Sequence, residues 1–110
     1  MGIQTSARLI YGIALPDDIE DGQLDEVLAS DPYFADLGHA WAGTWNGGTR
    51  YLTAYYQAAN LGHPESIQPD ALHPVQTDHW DARIRAAWGV LGRARADMPT
   101  PSWFLAANAT

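Results

Sequence analysis

The chain has no cysteine and no lysine among its 110 residues, and from Leu9 to Thr49 it has neither lysine nor arginine. The lack of cysteine excludes disulfides, thiolate metal sites and thiol nucleophiles together, and leaves the redox compartment open. The lack of lysine makes arginine the only basic residue, at positions 8, 50, 83, 85, 93 and 95, a bias we read as high-GC coding. No apolar run is long enough to span a bilayer. The N-terminus carries no basic region followed by a hydrophobic one, so no signal peptide is expected, and the expected location is the cytoplasm, without membrane association.

What is present is acid, and it is concentrated. Eight of the thirteen carboxylates fall between Asp17 and Asp36: Asp17, Asp18, Glu20, Asp21, Asp25, Glu26, Asp31 and Asp36. That stretch carries net −8, while the remainder, with five acids and six arginines, is about neutral. A calcium loop is excluded: if Asp17 were its first position, Ile19 and Leu28 would fall at the third and twelfth, where oxygen ligands are required. Two readings remain. Clustered carboxylates can imitate a phosphate backbone or dock on a basic protein surface; alternatively they form a solvated segment that keeps a small protein soluble. On the first reading the partner-binding residues are Asp17, Asp18, Glu20, Asp21, Asp25 and Glu26. Arg83, Arg85, Arg93 and Arg95 form a basic counterpart, able to pair with this segment or with that of a second copy.

Hydrophobic residues make up 46% of the chain, and they include many rings: five Trp, five Tyr and two Phe. This composition belongs to one globular domain spanning residues 1–110. Residues 6–15 read as a central strand with two apolar faces, closed by Pro16, and Gly12 within it signals a bulge or a close approach. A short acidic helix over 23–30 follows, ended by Asp31-Pro32, with Tyr33, Phe34 and Leu37 as anchors to the core. Residues 39–45 and 50–58 flank Asn46-Gly47-Gly48-Thr49 as a hairpin. With Trp45 opposite Arg50, one face carries Trp41, Trp45, Arg50, Leu52, Ala54 and Tyr56. Residues 60–77 read as an irregular loop. The main helix is expected from an N-cap at Asp78 to about Ala96, with Trp80, Ile84, Ala87, Trp88 and Leu91 as its apolar stripe. Close packing on the sheet would account for Gly89, and Gly92 would end the regular helix early. Residues 102–107 read as a last strand. The expected fold class is α+β: an antiparallel sheet of about four strands, one long C-terminal helix on one face and the short acidic helix after the first strand.

No catalytic constellation emerges. Ser6, Ser30, Ser66 and Ser102 lack a nucleophile-elbow context, Asn46-Gly47-Gly48 lacks the helix and lysine of a phosphate loop, and no carboxylate pair stands apart. His39, His63, His73 and His79 have no metal-ligand spacing. We therefore expect no catalytic residues, no metal and no cofactor. Trp41, Trp45, Arg50 and Tyr56 form a candidate ligand pocket. Rings beside arginine can also stack bases, but net charge −7 argues against direct nucleic-acid binding.

Three segments together, Leu9-Ile10-Tyr11-Gly12-Ile13, His79-Trp80-Asp81-Ala82-Arg83-Ile84 and Pro101-Ser102-Trp103-Phe104-Leu105-Ala106, resemble small proteins of unassigned function encoded by phages of actinobacteria. The resemblance implies an accessory protein that binds a host or immune-system protein, as an anti-defence inhibitor does, and it transfers no catalytic residue. The leading expectation is thus a non-enzymatic protein whose acidic segment meets a basic surface. A nucleotide-like small-molecule binder or sequestering oligomer, and a structural protein assembling through sheet edges, are the alternatives.

Overall fold

Strand β1, Thr5–Ala14, is the axis of the sheet. It pairs antiparallel with β3 (Gly47–Asn60) on one side and β4 (Ser102–Ala109) on the other. Strand β2 (Gly38–Thr44) lies antiparallel outside β3. The computed structural model describes residues 5–44, 47–60 and 74–109. Within them, helix α1 (Asp21–Ala29) follows β1 and helix α2 (Pro74–Val90) precedes β4. The element order β1-α1-β2-β3-α2-β4 with strand order β4-β1-β3-β2 is the split β-α-β arrangement of ferredoxin-like α+β domains. The sheet is curled so far that the C-terminal ends of its edge strands meet, Thr44 against Ala109, and close the ring.

Registered pairs share a face, so Tyr11, Ile13, Leu52 and Trp103 point to the helices, whereas Gly12, Ala14, Gly38, Ala40 and Ala42 line the opposite face. The small residues Gly12, Ala14, Gly38, Ala40 and Ala42 leave room for Tyr51 and Phe104 on the inner side of the curl. The inner face is completed by Ile10, Thr53 and Ala42, all buried, and by the Tyr51–Phe104 ring contact at 4.9 Å. The outer face holds the main core: Tyr11, Ile13, Leu15 and Leu52 from the sheet, Ile19, Leu24, Val27, Phe34 and Leu37 from the α1 region, and Trp80, Ile84, Ala87, Trp88 and Leu91 from the α2 region. Every residue of the apolar stripe expected on the main helix is in this cluster. Each fully buried aliphatic side chain stabilises by about 1.5–3 kcal/mol.

A β-bulge sets the faces of β3. Tyr11 pairs with Tyr55 and Gly12 with Thr53, leaving Ala54 as the extra residue. Before the bulge Arg50 and Leu52 face the helices; after it Tyr55 does. Tyr55 joins Tyr11, Trp80 and Trp103 in a group of rings with centroids 5.0–6.1 Å apart. The bulge also explains Gly12: a Cβ there would lie 1.9 Å from the Leu52 carbonyl oxygen. Tyr11 donates a hydrogen bond of 2.6 Å to Asp81 Oδ1 of α2, tying the central strand to the helix. Burial, with the acceptor carboxylate next to it, holds the Tyr11 phenol well above its ordinary pKa.

Four local expectations are corrected. The hairpin register differs from the one placing Trp45 opposite Arg50: Thr44 pairs with Gly47, so Trp41 stands opposite Arg50, while Trp45 itself lies outside the described residues. Gly48 is what permits this, because a Cβ there would meet the Trp41 ring at 2.4 Å. Second, Tyr56 is on the face opposite to Trp41, Arg50 and Leu52, because the bulge at Ala54 inverts the alternation. Third, α2 begins at Pro74, not after Asp78; proline suits the first helical turn, where its missing N–H has no partner to lose. Fourth, Gly89 packs on nothing: a Cβ there meets no atom within 4 Å. Gly92 does stop the helix, at φ +79° with its N–H donating to the Gly89 carbonyl. The chain then turns back, and the Trp88 indole N–H fixes it by donating to the Ala94 carbonyl at 2.9 Å. Of the loop anchors, Phe34 and Leu37 are buried, whereas Tyr33 is exposed.

Candidate functional site

The acidic segment is a turn and a helix held on a fixed base. Ile19, fully buried, roots the turn between β1 and α1, and Leu24 and Val27 seat α1 on the core. Carboxylates on the remaining positions therefore face outward or sideways. Asp21 and Asp25, four residues apart, share the side of α1 nearest the sheet. There Arg50 Nη1 donates to Asp21 Oδ1 at 2.5 Å, and Arg50 Nη2 donates to the carbonyl oxygen of Ile19. His39, on β2, places Nε2 2.8 Å from Asp25 Oδ1 and Nδ1 3.9 Å from Asp21 Oδ1. At the start of the segment Arg93 Nη2 donates to Asp18 Oδ2 at 2.8 Å.

The six acids of the expected docking segment thus fall into two groups. Asp18, Asp21 and Asp25 are engaged by the protein's own Arg93, Arg50 and His39. Asp17, Glu20 and Glu26 are exposed and have no ion pair among the described residues. The first group holds the segment in place, and the second presents charge to solvent. Exposed pairs of this kind contribute little each, about 0–1 kcal/mol. Arg50 contributes more, because its second bond goes to a part-buried backbone carbonyl.

The residues of the candidate pocket do not converge on one face. Trp41 and Arg50 share the helix side, with Trp41 40% exposed over Gly48 and Arg50 turned away to the α1 turn. Tyr56 lies on the other face, exposed, with the Arg8 guanidinium 6.0 Å from its ring centre. Among the described residues no three His, Asp or Glu are placed to hold a metal ion, and no helix is long and apolar enough to cross a membrane.

Two contributors were not assigned a role from sequence. By its sequence His39 is a candidate only as a metal ligand, and nothing local marks it as a neighbour of α1. Val90, at the end of α2, is 56% exposed beside α1; its position off the apolar stripe was the available signal. The Arg93–Asp18 pair, by contrast, is one the charge pattern allowed for.

No protein-family model, curated protein or solved structure matches the chain.

Proposed function

We propose that this is a non-enzymatic binding protein that docks the outward side of the α1 region on a basic surface of another protein. The observation that carries this reading is the division of labour among the acids. Asp18, Asp21 and Asp25 are used to fix the segment, so Asp17, Glu20 and Glu26 are displayed from a backbone that loses little freedom on binding. Their charge would steer the encounter and select against acidic partners. The curl of the sheet favours the same reading over strand-by-strand assembly, because it brings the edge strands together at Thr44 and Ala109 and shortens the open edge. In the setting implied by the resemblance to phage proteins, the partner is a host or immune protein whose basic surface ordinarily meets nucleic acid.

The geometry also fixes the test. Asp18 and Asp21 are unsuitable for charge reversal, since Arg93 and Arg50 would then face a like charge and the placement of the segment would change together with its charge. The informative variant is Asp17→Arg/Glu20→Arg/Glu26→Arg. Capture from an actinobacterial lysate is expected to yield one stoichiometric protein with the wild-type chain and none with the variant, while the two chains melt alike. Equal capture by both would refute the proposal.

A further inference from the structure

Helices α1 and α2 run antiparallel across the sheet: Asp18, just before α1, meets Arg93 beyond the end of α2, and Tyr33, just after α1, meets Arg83 on α2. Between them an open groove of about 340 Å³ is lined by Gln23, Glu26, Val27, Ser30 and Val90. This is at the small end of the range for ligand sites, which bury most of their ligand; an open groove of this size instead suits side chains projecting from a docked segment. Its floor is apolar through Val27 and Val90, and its wall carries Glu26, one of the unpaired acids. Glu20 and Asp17 precede α1 in the chain, on the side of its N-terminus. Arg83, its guanidinium 5.3 Å from the centre of the Tyr33 ring, stands on the side of the α1 C-terminus.

We propose that this groove receives the apolar edge of a basic amphipathic helix of the partner, with a leucine-like side chain on Val90 and Val27 and an arginine or lysine on Glu26. The inference rests on the acidic-face reading above and names the kind of segment that face would recognise. Charge complementarity selects a basic segment, and two helical walls select the helix-in-groove mode of recognition. The charges at the two ends set its direction. A helix carries partial positive charge at its N-terminus and negative at its C-terminus, so the bound segment would lie with its N-terminus toward Glu20 and its C-terminus toward Arg83.

The test is a titration of the isotope-labelled full chain, followed by NMR, with two synthetic peptides of equal positive charge. One is a Leu/Lys helix with leucine along one edge, and the other is a Lys/Ser sequence without an apolar edge. The Leu/Lys peptide is expected to shift the amides of Gln23, Glu26, Ser30 and Val90. Loss of one buried aliphatic contact is worth about 1.5–3 kcal/mol, so Val90→Glu should weaken binding by about tenfold or more. Leu105→Glu, at an exposed position of β4 that does not line the groove, should leave it unchanged. Val90→Ser, which adds no charge, should weaken it in the same direction. If both peptides bind alike and neither Val90 variant matters, the groove inference falls while the acidic-face proposal stands. If neither peptide binds saturably, both fall.

Discussion

Adding a single methyl group at two glycines should move stability in opposite directions. At Gly89 a Cβ meets nothing within 4 Å, and the site is an exposed position in the last turn of α2. Gly89→Ala therefore removes only the entropic cost of glycine in a helix, a gain of about 0.5–1 kcal/mol. At Gly12 the same atom would lie 1.9 Å from the Leu52 carbonyl oxygen and 3.1 Å from the Thr53 Cα. An optimal contact needs about 3.5 Å, so the backbones of β1 and β3 would have to part by roughly 1.5 Å where the bulge already interrupts their pairing. Such overpacking costs about 3 kcal/mol or more, because backbone and not a flexible side chain must yield. For a domain of this size 1 kcal/mol corresponds to roughly 4 °C in melting temperature. Thermal unfolding followed by circular dichroism should then show Gly89→Ala rising by about 2–4 °C and Gly12→Ala falling by about 12 °C or more. A Gly12→Ala protein melting within about 3 °C of wild type would refute the bulge geometry and the face assignment of β3 built on it.

Tyr11 sets an alkaline limit. Its folded pKa is raised above the ordinary 10.0 by burial and by Asp81, so its contribution is intact below pH 10 and is lost as the pH climbs above that value, where the unfolded chain releases the proton and the folded one retains it. Urea unfolding between pH 10 and 12 should show wild type losing up to about 1.4 kcal/mol per pH unit more than Tyr11→Phe; parallel curves would contradict the assignment. At neutral pH Tyr11→Phe should cost about 1.5–3 kcal/mol, the value of a hydrogen bond to a charged group. Arg50→Ala should loosen the α1 turn, seen as faster amide hydrogen exchange at residues 19–25 with exchange in β1 unchanged; uniform protection would show that Arg50 does not hold the segment.

Much of this protein is written in its local pattern. Period and hydropathy gave the α+β class, the two apolar faces of β1, the core stripe Trp80, Ile84, Ala87, Trp88 and Leu91, and the stop at Gly92. They also marked Gly12 as a bulge or a close approach, and it is a close approach opposite a bulge in β3. These features depend on a residue and its near neighbours, which one dimension preserves. What the tertiary structure decided depends on pairs far apart in the chain. The hairpin register follows from Trp41 finding room over Gly48, and the inversion that sends Tyr55 to the helix-facing side and Tyr56 to the opposite one follows from a bulge against β1. The line between structural and displayed acids is drawn by Arg50, 31 residues from Ile19, and Arg93, 75 residues from Asp18. Contacts at such separations leave no periodic trace, because each carboxylate has the same local sequence character whether or not an arginine reaches it. Composition therefore determined that this protein has an anionic segment, and only the packing of α1 against β2, β3 and the end of α2 decided which of its charges are engaged within the protein and which face solvent.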